Sequence, residues 1–253
     1  MKKVYLASLL GAALAVSGAN ASTSICHSGF KVGLGGGYGA FKASSQTNFG
    51  IVAPVGGAPA QTTRTTSGDV GGDGGFGRFF LGYDFVMKNG FVLGLELGAS
   101  ASNIKGTVNR RLEVAPANAA DPLELKAKDS FDAALRIGFA VRNAFIPYLK
   151  VGAESTKFQL RQASFAPAAP ANLADVSVNK RLTGFLIGAG VEVPVTRMFH
   201  VGAEYTYSHF NSISGNTQNA AAPIVPGVGV GVFENATAKP RMHRITARLM
   251  LKI

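Results

Sequence analysis

Along most of this chain apolar and polar residues alternate with a period of two, the signature of β-strands with two unlike faces. One face reads Phe79, Leu81, Tyr83, Phe85, then Phe91, Leu93, Leu95, Leu97, then Phe131, Ala133, Leu135, Ile137, Phe139, Val141. It continues as Leu149, Val151, Ala153, then Phe185, Ile187, Ala189, Val191, Val193, then Phe199, Val201, Ala203, Tyr205, Tyr207. The last stretch gives Ile245, Ala247, Leu249, Leu251 and Ile253, and the first gives Phe30, Val32, Leu34 and Tyr38 on its even side. No charge falls on this face. The other face carries Lys31, Arg78, Asp84, Glu96, Asp132, Arg136, Lys150, Glu154, Glu192, Glu204, Arg244, Arg248 and Lys252, among many glycines.

Three short turns divide the pattern into hairpins. Met87-Lys88-Asn89-Gly90-Phe91, Val141-Arg142-Asn143-Ala144-Phe145 and Val195-Thr196-Arg197-Met198-Phe199 resemble one another, with their phenylalanines 54 residues apart both times. Each is followed by a similar strand: Leu97-Gly98-Ala99-Ser100, Val151-Gly152-Ala153-Glu154 and Val201-Gly202-Ala203-Glu204. The pattern predicts three β-hairpins with tight turns. Between them run segments rich in Ala, Pro, Asn, Ser, Thr and Gly, over 44–75, 103–127, 159–179 and 211–239, which read as four long loops. A first strand near 30–41 and a last over 241–253 bring the total to eight.

Alternation alone also fits a soluble sandwich or a lipocalin-like barrel, whose apolar face points inward. Three features favour a membrane barrel instead. The apolar face lacks charge on every strand, as hydrocarbon requires when one Lys or Arg at midplane costs roughly 2–4 kcal/mol. The polar face holds seven bases and six acids, nearly balanced, as a narrow lumen of paired ions would be. Short turns alternate with long connections, as in outer-membrane barrels with periplasmic turns and extracellular loops. The expected fold is therefore all-β: an eight-stranded antiparallel up-and-down transmembrane barrel with four long extracellular loops and short periplasmic turns. Aromatics at strand ends, namely Phe91, Phe145, Phe199, Tyr205, Tyr207 and Phe210, are expected in the interfacial girdles.

The first residues point to export. Lys2 and Lys3 precede the apolar stretch 4–16, and Ala19-Asn20-Ala21 is a small-x-small cleavage site, so 1–21 is expected to be a cleaved signal peptide and 22–253 the barrel domain. Cys26 is the single cysteine, so no internal disulfide is expected, and Ile25 before it does not fit a lipoprotein site.

The stretch from Gly188-Ala189-Gly190-Val191-Glu192 to Glu204-Tyr205-Thr206-Tyr207-Ser208-His209-Phe210 resembles the porin-like surface antigens of alphaproteobacteria, within the opacity-protein and OmpA-like eight-stranded barrels. Their last hairpin has a Gly-x-Gly-x-Glu strand, a short turn and a Glu-Tyr-x-Tyr strand. The resemblance is specific over 186–210 and architectural elsewhere. It implies an integral surface protein, often an antigen or adhesin, with no catalytic residues and no cofactor. Members usually end in an aromatic residue read by the barrel-assembly machinery, a partner expected during insertion; this chain departs from that pattern with Leu251-Lys252-Ile253.

Little other chemistry is legible. Gly33 to Gly39 is Gly-rich but lacks the helix and Lys-Ser/Thr of a phosphate loop. Ser208-His209 faintly resembles the His/Ser pair of outer-membrane lipid A deacylases, without the ordered acid of a triad. His200 and His243 read as structural or interfacial residues at strand ends. The formal charge of +11 would suggest nucleic acid in a cytosolic protein, but export redirects it. With the leader, the inward set and the turn residues Lys88, Arg142 and Arg197 set aside, 13 bases and 8 acids remain in loops and rim. That excess suits contact with lipopolysaccharide phosphates, or serves solubility alone. Outer-membrane lipids and lipopolysaccharide are thus the expected partners, with a host or cell-surface ligand for the loops. Three functions stay open: a structural or adhesive barrel with a plugged lumen, a channel for small solutes, and a lipid-modifying enzyme.

Overall fold

The structure is a computed structural model that describes residues 27–55, 58–111, 120–142, 144–162, 176–225 and 228–253. The expected signal peptide 1–21 and Cys26 lie outside the described residues. Ten strands are present among them: β1 (Gly29–Val55), β2 (Ala58–Val86), β3 (Phe91–Ser102), β4 (Ile104–Arg111), β5 (Ala120–Phe139), β6 (Ile146–Gln162), β7 (Val176–Pro194), β8 (Phe199–Phe210), β9 (Ile213–Val225) and β10 (Val228–Lys252). β4 prolongs β3 and β9 prolongs β8 across short breaks, so the barrel wall has eight staves. All pairings are antiparallel, and β1 closes on β10 with Lys31 opposite Lys252 and Tyr38 opposite Ile245. At the seam the Ile253 amide donates to the Phe30 carbonyl at 2.8 Å.

The outer wall is apolar all round. Phe30, Leu34, Leu81, Leu95, Phe131, Leu135, Ile137, Leu149, Phe185, Ile187 and Leu249 all face outward, with Leu149 66% and Leu34 61% exposed. In water so continuous an apolar surface would be unstable; in a bilayer it is the solvent-matched face. Closure leaves no unpaired backbone edge at this level, which hydrocarbon would penalise by several kcal/mol per group.

The turns at one end are tight for distinct reasons. In the first, the Gly90 amide donates to the Met87 carbonyl at 2.9 Å, and Gly90 takes φ +85°, which a side chain would strain. In the third, Thr196 Oγ1 accepts from the amides of Met198 (3.2 Å) and Phe199 (2.9 Å) and fixes the bend without glycine. Phe145 and Phe199 sit exposed beside these turns, where a girdle belongs.

At the other end the described residues of the segments expected as loops are mostly strand, while 56–57, 112–119, 163–175 and 226–227 lie outside the described residues. β1 and β2 stay paired out to Val55 and Ala58, and β10 pairs β9 as far as Val228 and Val225. Runs such as Thr62-Thr63-Arg64-Thr65-Thr66 have β-branched residues that favour extension, and each continues a ladder already in register from the wall. Alanine, proline and glycine mask this in the sequence. Above the wall the barrel divides into two sheets. One has the order β9-β10-β1-β2 and the other β4-β5-β6-β7, with β2 meeting β4 only at Asp73 and Lys105. Between β7 and β8 the last paired residues are Gly184 and Phe210, and no described residue of β9 pairs with β7.

The charge-free outer face generates two expectations. The folded protein should migrate differently from the boiled chain on a mild detergent gel; identical migration would contradict a closed barrel. Leu95→Arg and Ile137→Arg should each impair insertion by roughly 2–4 kcal/mol, whereas Thr63→Arg above the wall should not. Folding yields into lipid vesicles check the difference.

Candidate functional site

Among the described residues the inward face concentrates the buried charges, and its geometry follows from strand register. Neighbouring strands put like charges opposite each other: Lys31 faces Lys252, Arg136 faces Lys150, and Asp132 faces Glu154. Such pairs repel, so each group must reach elsewhere for its partner. An eight-stranded wall is narrow enough for side chains to meet across the interior.

Eleven of the thirteen do so as one network, and Glu154 and Arg244 form a separate pair. Arg248 on β10 reaches Glu96 on β3 at 2.5 Å and bonds Glu204 on β8. Arg78 on β2 reaches Asp132 on β5 (2.6 Å), Glu96 (3.1 Å) and Glu204 (3.3 Å). Lys150 on β6 lies 2.8 Å from Glu96, 3.4 Å from Glu204 and 3.6 Å from Asp132. Toward the turns, Arg136 pairs with Glu192 (2.8 Å) and Asp84 (3.4 Å), and Asp84 also takes Lys31 (2.7 Å) and Lys252 (3.6 Å). Toward the rim, Glu154 holds Arg244 at 2.5 Å with help from Ser208 and Thr156. All thirteen inward charges picked out by alternation are buried; eleven join one network, and Glu154 and Arg244 pair apart from it toward the rim.

Two aromatic rings support it. Tyr148 lies inside with Arg136 stacked 3.8 Å from its ring centroid, and its hydroxyl donates to Glu204 at 2.8 Å. Arg248 sits 4.0 Å above the Phe80 ring. Both rings lie against guanidinium groups that are themselves ion-paired. Gly98 leaves room for this packing, because a Cβ there would meet the Arg78 guanidinium and the Asp132 carboxylate and make them shift.

The charged layer does not fill the lumen alone. Above it Phe41, Val70, Ile104, Leu125, Ala127, Phe158, Leu160, Leu182, Phe210, Ile213, Ala238 and Met242 form a buried apolar plug with Ala43. Phe158 and Phe210 meet edge to face at 5.2 Å. Below the charges Val92 and Ile146 form a smaller apolar cap, flanked by Val86 and Ala140.

Several residues fall elsewhere than the sequence suggests. Phe210 is not a girdle residue; it lies in the plug, 1% exposed, because its even parity is that of Glu204 and Ser208. His200 is fully buried with Nδ1 2.7 Å from Glu192, a lumen member that a lone histidine at a strand end did not announce. Tyr148 was missed because tyrosine belongs equally well to a girdle; its parity with Lys150 was the available signal. His243 does lie outside, its Nδ1 2.7 Å from the Tyr205 hydroxyl. Ser208 and His209 point to opposite faces: Ser208 is buried against Glu154, whereas His209 stacks on Phe185 at 5.6 Å. They cannot act as one catalytic pair.

A closed antiparallel wall, lipid-facing outside and ion-paired within, defines an integral β-barrel membrane protein. The family model of the outer membrane protein beta-barrel domain matches residues 7–232, and the chain belongs to that family and to the outer membrane. No curated protein matches it. Among solved structures it is similar to OprG from Pseudomonas aeruginosa at 14% identity, over 89% of this chain and 98% of OprG, with a TM-score of 0.48. It is similar to Ail, the attachment invasion locus protein of Yersinia pestis, at 14% identity over 85% and 99%, with a TM-score of 0.34. Neisserial surface protein A shares 15% over 85% and 99%, with a TM-score of 0.35.

The network predicts strong coupling across the lumen. Breaking a buried pair typically costs about 3–5 kcal/mol, because a charge is left without its partner. Glu204→Gln should therefore lower unfolding stability in detergent, and adding Arg248→Gln should recover part of the loss. Recovery should be incomplete, since Glu204 also holds Arg78, Lys150 and Tyr148. A double-mutant coupling of zero would place these side chains in open, screened water.

Proposed function

We propose that this protein is a non-conducting outer-membrane barrel that serves as a scaffold, structural or adhesive, for the two sheets rising from its rim. The observation that carries this reading is the filled interior: an apolar plug, a cross-linked layer of buried ions and a small apolar cap, stacked along one narrow lumen. A solute would have to displace apolar side chains and break ion pairs at successive levels. A working pore instead lines a wide lumen with screened, hydrated charges.

The rim supports the adhesive part. Above the wall, β2 and β9 bound one sheet and β4 and β7 the other, so each sheet presents lengths of edge strand toward water. Exposed edges of this kind accept an extended polypeptide as an added strand, with backbone hydrogen bonds supplying affinity. The partner class that fits is an extended segment of a host or cell-surface protein. No catalytic role is needed for this reading.

Planar-bilayer recording tests it. The folded wild type should be electrically silent, whereas steady wild-type conductance would replace the scaffold with a solute channel. Deleting 47–66, the outer part of the β1–β2 hairpin, should leave heat-modifiable migration intact and reduce adhesion of expressing cells to host surfaces; unchanged adhesion would remove this sheet from the contact.

A further inference from the structure

Just above the lipid belt the outward cations fall into two kinds. Some are matched. Lys42 has Asp69 at 2.8 Å, and Arg181 has Asp129 at 2.7 Å while stacking 5.1 Å from the Phe131 ring. Asp69 is held below the usual carboxylate range by its bond to Lys42. Three others sit together at the base of the second sheet. Lys105 on β4 lies directly opposite Lys126 on β5, and Lys128 follows two residues along β5 toward the membrane. Ile104, Leu125 and Ala127 are fully buried, so alternation turns Lys105 and Lys126 outward, and Lys128, in the bulge that follows Ala127, is half-buried.

The carboxylates nearby offset this triad only in part: Glu124, two residues from Lys126 on β5, acts on that lysine, and Asp129 is paired with Arg181. No ion pair within 4 Å joins any of the three to a described carboxylate. Asp73, which the β2–β4 register places opposite Lys105, accepts the Tyr38 hydroxyl and makes no ion pair with that lysine. Like charges placed directly opposite on a sheet repel. Accordingly, Lys105 foremost, with Lys128 adding to it, pushes the Lys126 ammonium below the ordinary lysine range. A sheet that holds ammonium groups together in this way is poised for a multivalent anion.

The level of the triad says which anion. Phe131, three residues from Lys128 on the same strand, is 56% exposed and belongs to the lipid belt. At roughly 3.3 Å per residue the lysines rise from the edge of the hydrocarbon into the headgroup layer. They stand on the long-hairpin side, which in outer-membrane barrels faces outward. We propose that Lys105, Lys126 and Lys128 bind a phosphate of lipid A in the outer leaflet, their ammonium groups donating to its oxygens. The site sits on the outer wall and is independent of whether the lumen conducts.

The test uses full-length folded protein in phosphatidylcholine nanodiscs, titrated with bisphosphorylated lipid A and followed by the temperature at which the heat-modifiable form is lost. The triple variant K105Q/K126Q/K128Q should bind about tenfold more weakly or worse, as three charge-assisted contacts are removed. The triple K88Q/R142Q/R197Q takes the same number of charges from the turn end and should bind like wild type. Dephosphorylated lipid A and phosphatidylglycerol should bind wild type at least tenfold more weakly than the bisphosphorylated lipid. Undiminished affinity in the first triple, an equal loss in the second, or equally tight binding of either comparison lipid would overturn the proposal. The single variant K126Q guards against a folding artefact. Without lipid A it should melt at or above the wild-type temperature, because a repulsion is removed, and with lipid A it should gain less. A lower melting temperature without lipid would contradict the view that the lysines repel until an anion arrives.

Discussion

The rest of this structure depends on one constraint: within hydrocarbon every backbone amide and carbonyl needs a partner inside the protein. The contact that satisfies it is the seam between β1 and β10, running from Lys31 and Lys252 upward. Once the seam closes, each strand has one face in lipid and one in a narrow lumen. The outer face must then be free of charge, and any charge the chain carries at this level must turn inward. Inside, register sets like charges beside each other, so neutralisation has to come from across the lumen. The ion network is thus a consequence of closure and not an addition to it.

Above the hydrocarbon the constraint lapses, and the wall responds. Water can hydrogen-bond an open edge, so the eight staves no longer need to stay joined, and they part between β2 and β4 and between β7 and β9. The outer face changes at the same level: Asp69, Asp129, Arg181 and the lysine triad replace Phe131 and Phe185. The result is a closed lower body, a divided upper one and a charged collar between them.

Much of the wall was legible in the sequence because its period of two is strict where lipid enforces it. The strands, the three short turns and the thirteen inward charges follow from counting parity between turns. Parity fails where the ladder is interrupted. The bulge between Ala127 and Ser130 shifts β5 by a residue, so Leu125 and Ala127 face inward at odd numbers while Asp132 and Arg136 do so at even ones. The break at Asn211 and Ser212 does the same for Ile213. Three members of the apolar plug, Leu125, Ala127 and Ile213, lie beyond these irregularities; the others, such as Phe41, Phe158 and Phe210, keep the parity of the inward charges. His200 and Tyr148 were hidden differently: their side chains suit an interface and a lumen alike, and only the partner, Glu192 or Glu204, decides. The upper strands were masked by Ala, Pro and Gly, whose turn preference the continuing ladder overrides.

The claim at the centre of this account is that the lumen is dry and filled while its charges are paired within it. Thiol accessibility addresses that claim directly, on a Cys26→Ser background. Ser100→Cys and Ser208→Cys place probes on inward positions that are 6% and 0% exposed in the folded barrel. A charged, membrane-impermeant thiol reagent should leave both unlabelled in folded protein and label both after boiling, while Asn179→Cys near the rim should react in either state. Rapid labelling of Ser100→Cys or Ser208→Cys in folded, bilayer-inserted protein would show an open aqueous lumen and contradict the account.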